Sequence, residues 1–194
     1  MKTLFLNPFE KYSDRILLIT GLLFSTFAVL LAYTFNARFD GFLDLHFSDN
    51  TTIYQSLSDV LIGIISGTIV FFGIGRLINK KTRLIDILST CLIAKIPFYI
   101  SPLLNINGFM YNTTSRVVKI ANPENVHKIS TTDIIILMAT STLTLLTLIW
   151  MIALLFNGFK IATNSKETKH TLFFIAGIII AEIVSKIVIS QITL

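Results

Sequence analysis

Two long runs of uncharged, mostly apolar residues constrain the fold of this chain more than any other feature. Ile16 to Ala37 is 22 residues long, Ile134 to Phe159 is 26 residues long, and neither contains Asp, Glu, Lys or Arg. About 20 residues of helix cross a hydrocarbon layer of roughly 30 Å. Each run therefore predicts a membrane-spanning helix. Charged residues make up only 14% of the chain, against roughly 25% in soluble proteins, which excludes an ordinary soluble domain.

Three further segments raise the expected number of spans to five. The second predicted span, residues 54–78, crosses the membrane if the side chains of Asp59 and Arg76, near its ends, reach toward the headgroups. In the third span, Pro97 and Pro102 each remove a helix hydrogen bond, so this helix is predicted to be kinked or broken there. We expect an all-α membrane protein, a compact bundle of five transmembrane helices. The predicted spans are residues 16–37, 54–78, 84–104, 134–159 and 171–194.

The distribution of Lys and Arg between the loops predicts the orientation. Ten lie in the leader and in the loops after spans two and four, against four in the other two loops. The positive-inside rule then places the N-terminus in the cytoplasm and the C-terminus outside. Residues 1–15 are predicted to be a cytoplasmic leader at the membrane interface, and residues 16–194 a single membrane domain. Seven cations form the predicted cytoplasmic basic face, which either binds anionic lipid headgroups or only sets the orientation: Arg76, Lys80, Lys81, Arg83, Lys160, Lys166 and Lys169.

Three ionisable residues fall at membrane depth. Glu182 and Lys186 are four residues apart with the acid first, the favourable order for an ion pair on a helix. Lys95 lies at a similar depth on span three, which predicts a bridge between spans three and five. Charges inside a membrane need partners unless their side chains snorkel to the interface. This ion cluster is therefore a structural clamp, part of a proton or ion relay, or a set of snorkelling side chains without a partner.

Small residues recur every four positions on two of the spans, which allows close helix approach. Packing within the bundle and homo-oligomerisation both fit this pattern. The residues are Gly63 and Gly67 on span two, and Gly177, Ala181 and Ser185 on span five.

The first outer loop is the segment with the most candidate metal ligands. It carries three carboxylates and His46, but their spacing matches no calcium-loop pattern, and no metal or cofactor is predicted. Phe39 and Phe42 are expected at the membrane interface. Hydrolase, metalloprotease and P-loop motifs are missing from the sequence, so no catalytic residue and no enzymatic activity are predicted. The basic residues sit in short loops between spans, which argues against a nucleic-acid partner.

Three segments resemble the Yip domain family, multi-pass membrane proteins named for their interaction with Ypt/Rab GTPases. They are Gly73–Lys81 at the end of span two, Ala94-Lys95-Ile96-Pro97 in span three, and Trp150–Lys160 leading through Asn164-Ser165-Lys166 into span five. The resemblance implies five membrane helices with a cytoplasmic N-terminus and no catalytic residues. It implies a scaffold or adaptor role in membrane organisation or trafficking, with an unidentified membrane or cytoplasmic protein partner.

The short leader looks more like that of bacterial members of this family, which implies the bacterial inner membrane. In a eukaryotic host, an endomembrane is implied instead. The alternative function is a small transporter or channel that uses Lys95, Glu182 and Lys186 around the broken third span.

Overall fold

The computed structural model describes residues 5–120 and 129–192, most of which are helical. Lys2 and Lys128, which contribute to the orientation count, and the last two residues of the predicted fifth span lie outside this part. The helices are α1 (Asp14–Thr34), α2 (Ile53–Ile78), α3 (Leu84–Ala94), α4 (Phe109–Ile120), α5 (Thr131–Thr163) and α6 (Thr168–Ile192). Short 3₁₀ helices cover Pro8–Glu10 and Phe98–Gly108, and strands β1 (Ala37–Arg38) and β2 (His46–Phe47) pair antiparallel.

Five helical segments of the described chain are long and apolar enough to cross a membrane, which confirms the predicted number. They are α1, α2, the continuous stretch Leu84–Lys119, α5 and α6. Many large apolar side chains on these helices remain exposed, including Leu23, Ile69 and Leu172 at 66%, 65% and 68%. Such a surface fits a hydrocarbon environment rather than water.

The third segment changes its helical geometry part of the way along. The α3 helix ends at Ala94, and the chain continues as 3₁₀ turns from Phe98, with Pro102 inside them. Pro97, just before these turns, and Pro102 both lack a backbone N–H that could donate a helix hydrogen bond. At Asn105–Asn107 the backbone leaves helical geometry, and Asn107 has a φ of 55°. The segment then resumes as α4 and reaches Lys119, well beyond the predicted end at residue 104.

The five membrane-length segments alternate in direction, so the bundle has two distinct ends. At the leader end, Arg83 before α3 pairs with Asp14 at the start of α1. Asn79 after α2 donates to the Thr163 carbonyl at the end of α5, with an Nδ2–O distance of 3.2 Å. The loop of residues 35–52, called the first loop below, lies at the opposite end between α1 and α2.

Aromatic rings form the centre of the bundle. The centroid of the Phe71 ring on α2 is 5.5 Å from those of Phe159 on α5 and Phe174 on α6. Gly177 brings α6 close to α2, because a Cβ there would lie 2.8 Å from Ile74 Cδ1. The five small residues predicted at helix contacts are all buried within the chain's own bundle.

The leader is attached to α5 by two hydrogen bonds. Trp150 Nε1 donates to the Phe5 carbonyl at 2.6 Å, and Asn157 Nδ2 donates to the Leu6 carbonyl at 2.7 Å. These contacts satisfy two backbone acceptors that would be costly to leave unpaired in an apolar environment. The leader therefore packs on a helix in addition to any contact with the membrane surface.

Candidate functional site

The first loop folds back into the bundle, and this is what builds the candidate site. The side chains of Phe39 and Phe42 are 2% and 0% exposed, so the expectation that they lie at the membrane interface is wrong. Their rings pack against Phe98 and Phe71 at centroid distances of 5.6 Å and 6.1 Å. Burying these rings draws the loop backbone between the helices, where its polar groups need partners inside the protein.

A buried ion pair holds the start of the loop. Arg38 donates to Asp59 of α2 through Nε at 2.5 Å and through Nη2 at 3.0 Å, a two-point contact. The Asp59 side chain is 1% exposed and that of Arg38 is 10% exposed. The hydrogen bond to Asp59 raises the pKa of Arg38. The prediction that Asp59 reaches toward the headgroups is therefore wrong: an arginine of the loop neutralises it inside the bundle.

Lys95 lies beneath the middle of the loop. This residue is 1% exposed, and its Nζ donates to the Phe42 carbonyl at 3.0 Å. The same atom lies 4.8 Å from the centroid of the Phe42 ring and 5.9 Å from that of Tyr99, distances that suit a cation–π contact. The end of α3 at Ala94 places Lys95 at the point where the helix changes its geometry.

Glu182 of α6 binds the other side of the same peptide group. Its Oε2 accepts from the Leu43 N–H at 2.7 Å, while Lys95 donates to the Phe42 carbonyl of that peptide. One peptide of the loop is thus held by a cation on its oxygen and a carboxylate on its nitrogen. We call Lys95, Glu182 and the Phe42–Leu43 peptide the peptide clamp. Among the described residues, no direct ion pair joins Lys95 to Glu182, so the predicted bridge between spans three and five runs through the loop backbone.

Asp44 and Asp40 of the loop are paired near its surface. Lys186 lies 2.7 Å from an Asp44 carboxylate oxygen and 3.3 Å from Glu182 Oε1, so the predicted pair four residues apart on α6 is present. About half of the Lys186 side chain is exposed. His46 pairs with Asp40, and this hydrogen bond raises the pKa of His46 above its ordinary value. The site therefore contains one buried ion pair, between Arg38 and Asp59, and further ion pairs that are partly exposed.

Three glycines make room for the loop. A Cβ at Gly41 would lie 2.7 Å from Glu182 Oε1, and one at Gly63 would lie 3.1 Å from Lys95 Nζ. At Gly67 it would lie 2.3 Å from Cε2 of the buried Phe42 ring. The small residues of α2 that predict helix contacts thus face the loop and the lysine that binds it.

Replacing Gly67 by alanine is expected to destabilise the protein, because the Phe42 ring has no space to move. Overpacking of this kind costs about 1–3 kcal/mol. Gly73→Ala on the same helix is the matched control, since a Cβ there meets nothing within 4 Å and alanine favours a helix by up to about 1 kcal/mol. Unfolding by SDS in mixed micelles, followed by circular dichroism, measures both variants. Equal stability of the two variants would contradict the described packing of Phe42.

The predicted basic face lies at the leader end, where two turns are held together. The bond from Asn79 to Thr163 joins the turn after α2 to the end of α5. Gly75 packs between these turns, because a Cβ there would lie 3.0 Å from Thr82 Cγ2 and 3.2 Å from Thr163 Cγ2. One surface therefore includes Lys80 and Lys81, which follow α2, and Lys160 and Lys166, which lie on either side of the end of α5.

The seven predicted cations of this face are not equivalent. Arg83 pairs with Asp14 and Asp86, at 2.7 Å and 2.6 Å. Lys169 pairs with Glu167 at 2.6 Å, and that hydrogen bond lowers the pKa of Glu167. Arg76 donates to the Lys80 carbonyl. Within the described part of the chain, the other four have no acidic partner: Lys80, Lys81, Lys160 and Lys166.

Sequence reasoning missed Arg38 and Asp59 as partners, although it placed Lys95, Glu182 and Lys186 in one cluster. The apolar residues between the charges of the loop were the available signal, since Phe39 and Phe42 favour burial as well as an interface. Over the described ranges, no group of three or more His, Cys, Asp or Glu side chains is arranged to hold a metal ion. Chemically, the arrangement can neutralise buried charges and fix the loop in position.

No protein-family model, curated protein or solved structure matches this chain.

Proposed function

We propose that this multi-pass membrane protein is a non-enzymatic scaffold or adaptor of the Yip type, whose basic face binds anionic lipid headgroups on the cytoplasmic side. The observation that carries this proposal is a set of four lysines, without acidic partners among the described residues, on the two chain segments joined by the Asn79–Thr163 bond. Each Lys or Arg near a negatively charged membrane surface contributes about 1 kcal/mol of attraction. A fixed group of such cations gives the protein a local preference for anionic lipid.

The proposed orientation rests on the same distribution of charge. The leader end carries the cations of the leader and of both joined turns, so the positive-inside rule places it in the cytoplasm. At the opposite end, the charge of Arg38 is neutralised by its buried ion pair with Asp59. Arg116 pairs there with Asp133 at 2.6 Å. Arg83 and Lys169 are paired at the leader end as well, so pairing leaves the difference in positive charge between the two ends unchanged.

Removing the four unpaired lysines is expected to abolish the preference for anionic lipid. The variant carries Lys80→Gln, Lys81→Gln, Lys160→Gln and Lys166→Gln. The measurement is the association constant of spin-labelled phosphatidylglycerol relative to phosphatidylcholine, obtained by electron paramagnetic resonance in reconstituted vesicles. The ratio should exceed one for the unmodified protein and fall toward one for the variant, because most of the local attraction is lost.

Lys119→Gln is the control for this measurement, since Lys119 lies at the end of α4 and away from the basic face. It should leave the ratio unchanged. A ratio that is unaffected by the fourfold variant, or that falls equally with Lys119→Gln, would remove lipid binding from the proposed function.

The buried charges favour a second candidate, a transporter or channel. Lys95 and Glu182 hold a loop that fills the space between the helices, and its release would expose charged groups at membrane depth. Proton or ion flux into proteoliposomes that disappears with Glu182→Gln would favour this candidate over a scaffold. Absence of flux across a panel of ions and protons would remove it.

A further inference from the structure

A small polar cavity lies at the leader end, between the starts of α1 and α3 and the end of α5. Its volume is about 260 Å³. The wall includes Asp14, Arg83, Asp86 and Ser89, together with Phe9 of the leader. Polar groups are uncommon at the edge of an apolar bundle unless they bind one another or a ligand. The cavity is distinct from the four unpaired lysines that form the proposed anionic-lipid surface.

Ser89 shows that one polar group of this cavity is not satisfied by the others. The residue is 2% exposed, and its hydroxyl oxygen is buried without a hydrogen-bond partner among the described residues. The neighbouring Thr90 differs, because its hydroxyl donates to the Asp86 carbonyl at 2.7 Å. A buried hydroxyl without a hydrogen-bond partner is unfavourable, and a polar group of a ligand in the cavity would supply the missing bond.

The charges around the cavity favour a cationic group. Arg83 donates to Asp86 through Nε at 3.0 Å and Nη2 at 2.6 Å, and to Asp14 through Nη2 at 2.7 Å. Two carboxylates thus share one guanidinium, which leaves one negative charge in excess. Arg83 Nη1 has no acceptor among the described residues and is available to an anionic group beside the cation. A zwitterionic ligand with an ammonium next to a phosphate matches this order of charges.

An apolar groove shares one wall residue with the polar cavity. Leu17 lines both spaces. The groove has a volume of about 420 Å³ and runs between α1, α5 and the third segment, past Phe24, Ile93, Ile100 and Trp150. Phe5, Pro8 and Tyr12 of the leader also line this groove, which is partly open. A ligand that spans both spaces needs a charged head and an apolar tail.

We propose that the cavity and the groove together bind one aminophospholipid, such as phosphatidylethanolamine. Its ammonium lies at Asp14 and Asp86, its phosphate faces Arg83, and one acyl chain occupies the groove. Ser89 supplies a hydrogen bond to the headgroup. The site selects a zwitterionic lipid with a primary amine, because the bulkier trimethylammonium of phosphatidylcholine donates no hydrogen bond to a carboxylate.

Trp150 provides a direct test, because it is the single tryptophan of the chain and lines the groove. The intact protein is reconstituted in phosphatidylcholine vesicles that contain a small, equal fraction of lipid with brominated acyl chains. Bromine quenches tryptophan fluorescence at short range. Brominated phosphatidylethanolamine is expected to occupy the groove with about fivefold preference over brominated phosphatidylcholine, the ratio given by one headgroup charge contact. Equal quenching by the two lipids overturns the proposal.

Two variants and a third lipid make the test specific. Asp14→Asn with Asp86→Asn should remove the preference, and Asp14→Asn alone, at a half-exposed position, should reduce it if the double variant does not fold. Asp133→Asn, at the opposite end and paired with Arg116, should keep it. Brominated phosphatidylglycerol, which the lysines of the basic face also attract, should lose none of its quenching in Asp14→Asn with Asp86→Asn. Loss of its quenching in that variant, or a preference for phosphatidylethanolamine that survives the variant, contradicts the assignment of an ammonium site.

Discussion

Exchanging the charges of Lys95 and Glu182 is expected to prevent stable folding instead of preserving it. In Lys95→Glu with Glu182→Lys, a carboxylate faces the Phe42 carbonyl and an ammonium faces the Leu43 N–H. Acceptor then meets acceptor, and donor meets donor, on both sides of the peptide that the clamp holds. Each uncompensated buried charge lowers the free energy of unfolding by about 3–5 kcal/mol. SDS titration in mixed micelles, followed by circular dichroism and Trp150 fluorescence, measures the loss.

Glutamine variants separate the peptide clamp from a direct ion pair. Glu182→Gln keeps an oxygen that accepts from the Leu43 N–H, so it should cost less than about 1 kcal/mol, mainly for the exposed contact with Lys186. Glu182→Leu leaves that N–H unpaired and should cost about 1–3 kcal/mol. If the charge exchange restored stability, or if Glu182→Gln were as damaging as Glu182→Leu, Lys95 and Glu182 would have to contact each other directly.

Asp59→Ala is expected to be among the most destabilising single substitutions in this protein. It leaves the Arg38 guanidinium, whose side chain is 10% exposed, without the carboxylate that binds it at two points. Removing one partner of a buried ion pair costs about 3–5 kcal/mol. The same SDS titration gives the change in the free energy of unfolding.

The double variant Arg38→Met with Asp59→Leu is the matched comparison. Apolar residues of similar size often replace a buried pair with little loss, because the cost of desolvating both charges disappears as well. We therefore expect this variant to recover most of the stability lost in Asp59→Ala. If it were no more stable than Asp59→Ala, the ion pair would stabilise the bundle by more than mutual neutralisation.

The number of spans could be predicted because long apolar runs have few alternatives. An uncharged segment of more than 20 residues exposes too much apolar surface to remain in water. The contact between Glu182 and Lys186 could also be predicted, since residues four apart on a helix are neighbours. The position at which the third segment ends was harder to predict. The 3₁₀ turns and α4 carry it to Lys119, although the sequence after residue 104 is polar enough to indicate a loop.

The fold of the first loop could not be predicted from local signals. Phe39 and Phe42 suit a membrane interface and a protein core equally well, and only the space left by Gly41, Gly63 and Gly67 makes the core available. Arg38 and Asp59 belong to different elements, so no periodicity relates them. On the basic face, composition identified the cations but not their partners. Which cations are paired depends on how the chain folds at its turns. Arg83 and Lys169 have carboxylate partners, whereas Lys80 and Lys166 have no acidic partner among the described residues.

The sequence separation between the partners of the first loop implies an order of assembly. Arg38 and Asp59 are 21 residues apart, so the pair can form as soon as the hairpin of α1 and α2 enters the membrane. Lys95 reaches the Phe42 carbonyl across 53 residues, after α3 is in place. Glu182 reaches the Leu43 N–H across 139 residues, when the last helix arrives. The partners of the loop therefore become available in three stages along the chain, and a chain stopped before α6 would lack the acceptor of the Leu43 N–H.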